Sequence, residues 1–567
     1  MKNLEIAKIL RDIADLLEMK EVQFKPQAYR KAANTIETLS KDIEAVVAEG
    51  ELEELPGIGT SIAKKIREYL ETGTIEYYEK LKKEFPIDFA GLLAVEGIGP
   101  KTAKQLYEEL GIKGLDELEH AAKEHKIRDL EGMGEKSEQK ILHNIAFARK
   151  DTGRKLLGFI LPIAEELENK MKQLEYVERI SIAGSLRRRK ETIGDIDILV
   201  QTTEPTKVMD HFTQLENVQE IIVKGTDKTT VRLHEGLDAD LRVIEAVSFG
   251  AALLYFTGSK ALGIELRKMA LKNDWKLNEY GLYKGKEVLA SKTEKAIFHQ
   301  YGMDYIEPEL RENRGEIEAA MNGKLPKLIG YDALLGDLQM HTKWSDGSYT
   351  ILEMAQAAKA MGHKYIAITD HTGSLRIAGG LKEKDVYEQM KEIDQVNDQI
   401  EGITILKGLE VNIDSRGQLD ISNEVLKEMD IVVAAIHSGF RQEKSQLTER
   451  MISAMENEYV NIIAHPTGRK ILSREEYDLD WDKIYEKSKE TNTFLEINSQ
   501  PNRLDLNDIR IKEAIDFDCK LVINTDAHST EHLRYIQLGL ATARRGWAEK
   551  EDIINTLSLQ KLRKVLK

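Results

Sequence analysis

Cysteine is almost missing from this chain. Cys519 is the one thiol in 567 residues, so no disulfide forms within the chain, and a reducing, cytoplasmic setting is expected. No apolar run approaches the roughly 20 residues needed to cross a bilayer. The opening stretch MKNLEIAKILRDIADLLE reads as an amphipathic helix with acids throughout, without the apolar core of a secretory leader. A positive balance is missing too: 82 Lys and Arg face 98 Asp and Glu, a net charge of −16. That argues against a surface that is basic all over as the means of holding nucleic acid, and leaves room for local basic patches and acidic metal sites. Hydrophobic residues at 41% and charged ones at 32% are ordinary for a globular chain, and the length allows roughly three to five domains.

Chemistry concentrates first in Gly184–Val200, GSLRRRKETIGDIDILV. A Gly-Ser turn and a basic run, Arg187 to Lys190, precede an apolar strand carrying Asp195 and Asp197. Alternation sends both carboxylates to one face. Downstream, Leu237–Val243 is another alternating strand, with Asp238, Asp240 and Arg242 sharing a face. Converging carboxylates suit Mg²⁺ or Mn²⁺, and two such ions clamp the attacking and leaving oxygens of a phosphoryl transfer. The Gly-Ser backbone and the arginines are placed to take phosphates. A lone D-x-D carries little weight; the ordered set points to nucleotidyl transfer. Tyr255-Phe256-Thr257-Gly258-Ser259-Lys260 follows, an aromatic pair before a glycine turn that can wall a sugar.

Upstream lies an internal repeat: Leu55-Pro56-Gly57-Ile58-Gly59, Val95-Glu96-Gly97-Ile98-Gly99 and Leu130-Glu131-Gly132-Met133-Gly134, each leading into a helix. The glycines allow close backbone approach, and the free N–H groups of the next helix turn outward to a phosphate. Lys64, Lys65, Lys101 and Lys104 add charge; Glu135 in the third copy would repel a phosphate. The pattern resembles the helix-hairpin-helix motif, which grips a nucleic-acid backbone without reading bases.

Together these motifs resemble a family X DNA polymerase, over residues 1–316. The resemblance implies that Asp195, Asp197 and Asp240 hold two metal ions, with Asp240 also helping to activate the primer 3′-hydroxyl. It implies that Gly184, Ser185 and Arg188 contact the triphosphate, that Tyr255, Phe256 and Gly258 border the sugar, and that Arg267 meets the template side. Gly57, Gly59, Lys64, Gly97, Gly99, Lys101 and Lys104 become DNA-binding positions. Gly263 stands where the family often has an Asn reaching the base. Lys65 matches the family's Schiff-base lysine for removing a 5′-deoxyribose phosphate and Lys31 a residue of the 5′-phosphate pocket, but Ser61 replaces a usual lysine, so 5′-phosphate recognition is expected to be weak.

After residues 317–333, read as a linker around Gly323, Pro326 and Gly330, apolar strands alternate with helices, and polar ligands collect at the strand ends. The strands end at His341 (with Asp346 beyond), Asp370-His371, Glu410, His437, His465, Asn498 and Asp526-His528. Seven strands in a βα rhythm argue for a parallel barrel with its site at the strand carboxyl ends. Five His, two Asp and a Glu there make a multinuclear site for Mn²⁺, Zn²⁺ or Fe, ions that activate water and polarise a phosphoryl oxygen.

This half resembles the PHP (polymerase and histidinol phosphatase) domain, which implies His341, Asp346, His371, Glu410, His437, His465, Asp526 and His528 as ligands of up to three ions. Gln339 stands where the family usually has the first His of H-x-H and is a weaker ligand. The expected fold is therefore multidomain. A helical helix-hairpin-helix region (1–80 and 81–153) precedes an α+β nucleotidyltransferase palm (154–245) and thumb (246–316), and a distorted seven-stranded α/β PHP barrel (334–567) follows. The expected function is a DNA repair polymerase that fills short gaps, with 3′–5′ exonuclease activity and abasic-site processing as a further option. Its partners would be gapped or primer-template DNA and dNTPs, with no membrane, and the chain is expected to be a monomer. Two rivals stand beside it. One is a phosphoesterase tethered to DNA by a non-polymerising front half, disfavoured by the intact Asp set. The other is a non-catalytic DNA-binding scaffold, disfavoured by a dense ligand set without cysteine.

Overall fold

A computed structural model describes residues 2–39, 43–93, 95, 98–148, 153–373 and 379–567. The first helix, Lys2–Met19, buries Ile6, Leu10, Ile13 and Leu17 at helical spacing against Lys25–Thr38. All three glycine repeats close with the same bond: the amides of Ile58, Ile98 and Met133 donate to the carbonyls of Leu55, Val95 and Leu130 at 3.1, 3.0 and 3.0 Å. Helices start directly after each, at Thr60, Pro100 and Glu135.

The strands number β1 (Lys155–Leu156), β2 (Val177–Ile182), β3 (Thr192–Ile193), β4 (Asp195–Thr202), β5 (Val218–Lys224), β6 (Lys228–Leu233) and β7 (Asp238–Val243). A five-stranded sheet runs β2-β4-β7-β6-β5, in which only β4 and β7 are parallel. Alternation decides its faces. Ile196, Ile198, Val200, Ala239 and Leu241 pack under the helices Leu157–Lys172 and Pro205–Thr213, so Asp195, Asp197, Asp238 and Asp240 face the other way. Tyr255 and Phe256, the aromatic pair before the Gly258 turn, lie in the last turn of the helix Phe249–Thr257, which caps the carboxylate face over Leu199. A small antiparallel sheet follows, β8 (Trp275–Asn278), β9 (Gly281–Lys284) and β10 (Glu287–Ala290).

The last seven strands form one parallel sheet in sequence order: β11 (Gly336–Met340), β12 (Tyr365–Ile368), β13 (Thr404–Asn412), β14 (Ile431–Ala435), β15 (Ile462–Ile463), β16 (Phe494–Asn498) and β17 (Leu521–Asn524). The amide of His341 donates to the carbonyl of Ala527 at 2.7 Å and nearly closes the barrel. Strands β11, β12, β14, β15, β16 and β17 are buried at every residue, as a covered parallel sheet requires. Two expectations change here. Glu410 lies inside β13, not at a strand end, because that strand runs on to Asn412. The stretch read as a linker begins in a helix, Glu316–Met321, and is then tied to the barrel: the Ile329 amide donates to the Ala548 carbonyl at 2.9 Å and Arg544 donates to the Ile329 carbonyl at 2.8 Å. Leu504, Tyr535 and Leu538 of the barrel enter the core under the five-stranded sheet.

Candidate active sites: a palm carboxylate face and a barrel metal centre

Register brings the palm residues together. Asp195 pairs with Asp238 and Asp197 with Asp240 across β4 and β7. Burial, reinforced by Asp195 and Asp240, pushes the Asp197 carboxyl up to about 6. Asp240 accepts from Thr230 Oγ1 at 2.6 Å and lies 2.7 Å from Lys228 Nζ and 3.5 Å from Arg242. Asp238 turns instead to Arg232. A carboxylate crowded by others, its ionisation opposed as at Asp197, is what a divalent ion relieves, so the residues fit the metal that the sequence implied.

Beside them is a cavity of about 380 Å³ lined by Gly184, Ser185, Arg188, Asp195, Asp197, Tyr255, Phe256, Gly258 and Arg267, among others. Ser185 Oγ is buried there without a hydrogen-bond partner, a donor kept for a ligand. Only part of the basic run serves the cavity. Arg187 is committed to Glu294, at 2.9 and 2.7 Å, while Arg188 reaches the cavity with its Nε on Glu312 at 3.0 Å. Phe256 stacks under the Arg242 guanidinium at 4.6 Å. Arg267 fills the space before Gly263: a Cβ there would meet its Nη1 at 3.4 Å.

In the barrel, His341, Asp346, His371 and His528 present ligand atoms within 4.8 Å of one another; so do His371, Glu410 and His437, and so do His341, Glu410 and Asp526. His465 Nε2 lies 3.4 Å from Glu410 Oε1, beside His437 Nε2 at 3.0 Å. Yet both ring nitrogens of His341, Nδ1 of His371, His437 and His465, and Oε1 of Glu410 are buried without a well-formed hydrogen bond. Imidazoles and carboxylates that face each other this way fit ions between them. Burial opposes the charge on Glu410, but His371, His341, His437 and His465 outweigh it and hold its carboxyl well below the usual range. Burial lowers His371 and His465 to about 4, leaving neutral imidazoles. Gln339 donates through Nε2 to Glu410 at 2.9 Å, and its Oε1 has no partner.

Sequence reasoning missed the supports. Asp370 accepts from the Thr342 amide at 2.8 Å, from Gln389 Nε2 at 2.6 Å and from Ser345 Oγ, fixing the loop that carries Asp346. Asn498 donates to Asp526 at 3.0 Å. Lys228 was legible only from its alternation with Thr230 on β6.

The hairpin residues are placed unevenly. Gly57 has φ +80° over the Lys31 side chain, and Gly59 and Gly99 cap their helices; Gly97 lies outside the described residues. Lys64 and Lys101 are exposed, whereas Lys104 pairs with Glu21 at 3.1 Å. Lys65 Nζ is 3.2 Å from Ser61 Oγ and 4.9 Å from the Tyr77 ring centre, and burial lowers its ammonium. Lys31, also lowered by burial, feels Lys343 and Asp346 of the barrel.

Comparison with known proteins finds the same succession of domains. Family models match residues 1–75 (helix-hairpin-helix domain), 89–145 (SAM-like helix-hairpin-helix tandem), 160–243 (DNA polymerase beta palm), 252–312 (DNA polymerase beta thumb) and 337–500 (PHP domain). A protein of Bacillus subtilis (strain 168), "DNA polymerase/3'-5' exonuclease PolX", is 37% identical over 572 residues, covering 100% of both chains. The chain belongs to the family X DNA polymerases that carry a C-terminal PHP domain. Shorter relatives match part of the chain. A "probable phosphatase" of Thermoanaerobacter sp. (strain X514) is 31% identical over 41% of this chain and 95% of its own length. Another, of Acetivibrio thermocellus, is 35% identical over 29% of this chain and 64% of its own length. Divalent metal use comes with this family. No helix among the described residues is long and apolar enough to cross a membrane.

Proposed function

We propose that the chain fills short gaps in DNA by template-directed nucleotide addition and trims 3′ ends in its barrel. The reading is carried by Asp197 beside Asp240, next to a cavity where Ser185 Oγ lacks a partner. Gly184, Ser185 and Arg188 hold the triphosphate; Tyr255, Phe256 and Gly258 border its sugar; Arg267 faces the template. Asp240 is the base for the primer 3′-hydroxyl proton, and Lys228 and Thr230 orient its carboxylate. Mg²⁺ or Mn²⁺ at Asp195, Asp197 and Asp240, and up to three ions of Mn²⁺, Zn²⁺ or Fe at the eight barrel ligands, would supply activation of the nucleophile and neutralisation of charge on the phosphoryl oxygens. His371 and His465, held neutral by burial, take ions without first losing a proton. The hairpin helices Thr60–Thr72 and Pro100–Leu110 hold the DNA backbone at their N-terminal turns. The chain acts as a monomer in the cytoplasm.

One gel tests this. A labelled primer on a one-nucleotide-gapped duplex is incubated with protein and Mn²⁺, with and without dNTPs. Extension with dNTPs and shortening without them is the expected pair. Shortening alone would leave the front half as a DNA-holding module and sink the polymerase reading.

A further inference from the structure

Arg545 of the barrel half contacts Arg188, a residue lining the cavity of the polymerase half. It ends the helix Ile536–Arg545 and is 4% exposed. Its Nη1 donates to the Arg188 carbonyl at 2.7 Å and to Glu312 Oε1 at 3.2 Å, and its Nη2 donates to Asp508 Oδ2 at 2.5 Å. The same Glu312 oxygen accepts from Arg188 Nε at 3.0 Å, while Arg188 Nη1 donates to the Thr257 carbonyl. One guanidinium therefore holds both ends of Arg188, the main-chain carbonyl directly and the side chain through Glu312. Arg314 braces it from behind, donating to Asp508 and to the Arg545 carbonyl, each at 3.1 Å.

We propose that Arg545 is a positioning residue for nucleotide addition, through which the C-terminal domain sets Arg188 for the incoming triphosphate. Charge supplies the reason. Four cations, Arg188, Lys190, Arg314 and Arg545, gather around two carboxylates, Glu312 and Asp508. Glu312 divides its charge between Arg188 and Arg545, so Arg188 is aimed without being neutralised and keeps its attraction for phosphate. Without Arg545, Glu312 would bind Arg188 alone and compete with the triphosphate, and the Arg188 carbonyl would lose its anchor. Burial, then Arg545, lowers the Lys190 ammonium, in keeping with a surplus of positive charge here.

The proposal rests on Arg188 being a triphosphate ligand, and the test separates the two. Steady-state gap filling is measured with the full chain and the variants Arg545→Ala, Arg545→Lys, Glu312→Gln and Arg188→Ala, alongside 3′–5′ shortening without dNTPs. Loss of charged hydrogen bonds predicts a dNTP KM about 10-fold higher for Arg545→Ala, with kcat changed less than about 3-fold. Shortening stays as in the unsubstituted chain, Arg545→Lys is intermediate, and Arg545→Ala with Glu312→Gln recovers only part of the KM loss of Arg545→Ala, because the Glu312→Gln amide no longer competes while the Arg188 carbonyl still lacks its anchor. If Arg188→Ala raises KM and both Arg545 variants leave it unchanged, the coupling is wrong. If Arg188→Ala itself leaves KM unchanged, the reading of Arg188 fails first. Loss of both activities together in both Arg545 variants would make Arg545 a fold-stabilising residue and overturn the proposal.

Discussion

A Cβ on Gly184 would lie 2.5 Å from Oδ2 of Asp197. Gly184 also has φ +62°, a backbone conformation that costs an L side chain strain. The glycine thus gives the turn its shape and the carboxylate its room. Gly184→Ala must push Asp197 aside, and a displacement near 1 Å at reacting groups lowers rate by about 100-fold or more. Primer extension should fall by that factor while 3′-end shortening is kept. Extension at the unsubstituted rate would mean that Asp197 can sit elsewhere and still work.

The two ligand sets lie in separate sheets, and this separation is directly testable. Asp195→Ala with Asp197→Ala should lower extension by at least ~10³-fold and leave shortening intact. His341→Ala with His437→Ala should do the reverse. Circular dichroism checks the fold of each. If either folded double variant loses both activities, the assignment of two sites is wrong.

What the sequence made legible follows from the range of the interactions. The glycine hairpins close on bonds between residues three apart, Leu55 to Ile58 and its two counterparts, so a local pattern exposes them. Period-2 alternation told the face of Asp195, Asp197 and Asp240, because Ile196, Ile198, Ala239 and Leu241 had to go to the core. Strand ends were read less well: Glu410 lies two residues short of the end of β13. Partners distant in sequence were invisible. Glu312 meets Arg188 across 124 positions and Arg545 meets it across 357, and no local spacing encodes either. The basic run misled for the same reason, since the partner of Arg187, Glu294, is 107 residues away.

Gln339 sets a further test. Its Nε2 donates to Glu410, while its Oε1 has no partner. A histidine there would offer a stronger ligand atom in place of an amide. Gln339→His should tighten metal retention about 10-fold, the scale on which ligand-shell changes act, read as metal left after graded chelator treatment. Unchanged retention would place Gln339 outside the coordination sphere, holding Glu410 only.

His363 offers a test of stability against pH. It is 5% exposed, both ring nitrogens lack a hydrogen-bond partner, and burial lowers it from 6.5 to about 4. The folded chain therefore resists a proton that the unfolded chain accepts. The neutral ring contributes its full share of stability above pH 6.5, and that share is lost as pH falls toward 4. Linkage puts the loss at roughly 2 kcal/mol by pH 5 and roughly 3 kcal/mol at its limit. His363→Leu removes this pH dependence. Three of the four tryptophans, Trp344, Trp481 and Trp547, lie after residue 333, so denaturant unfolding followed by fluorescence reports mainly on the barrel. The unsubstituted chain should lose about 2 kcal/mol more than His363→Leu between pH 7 and pH 5. Equal losses in the two would show that His363 finds a partner for its proton in the folded state.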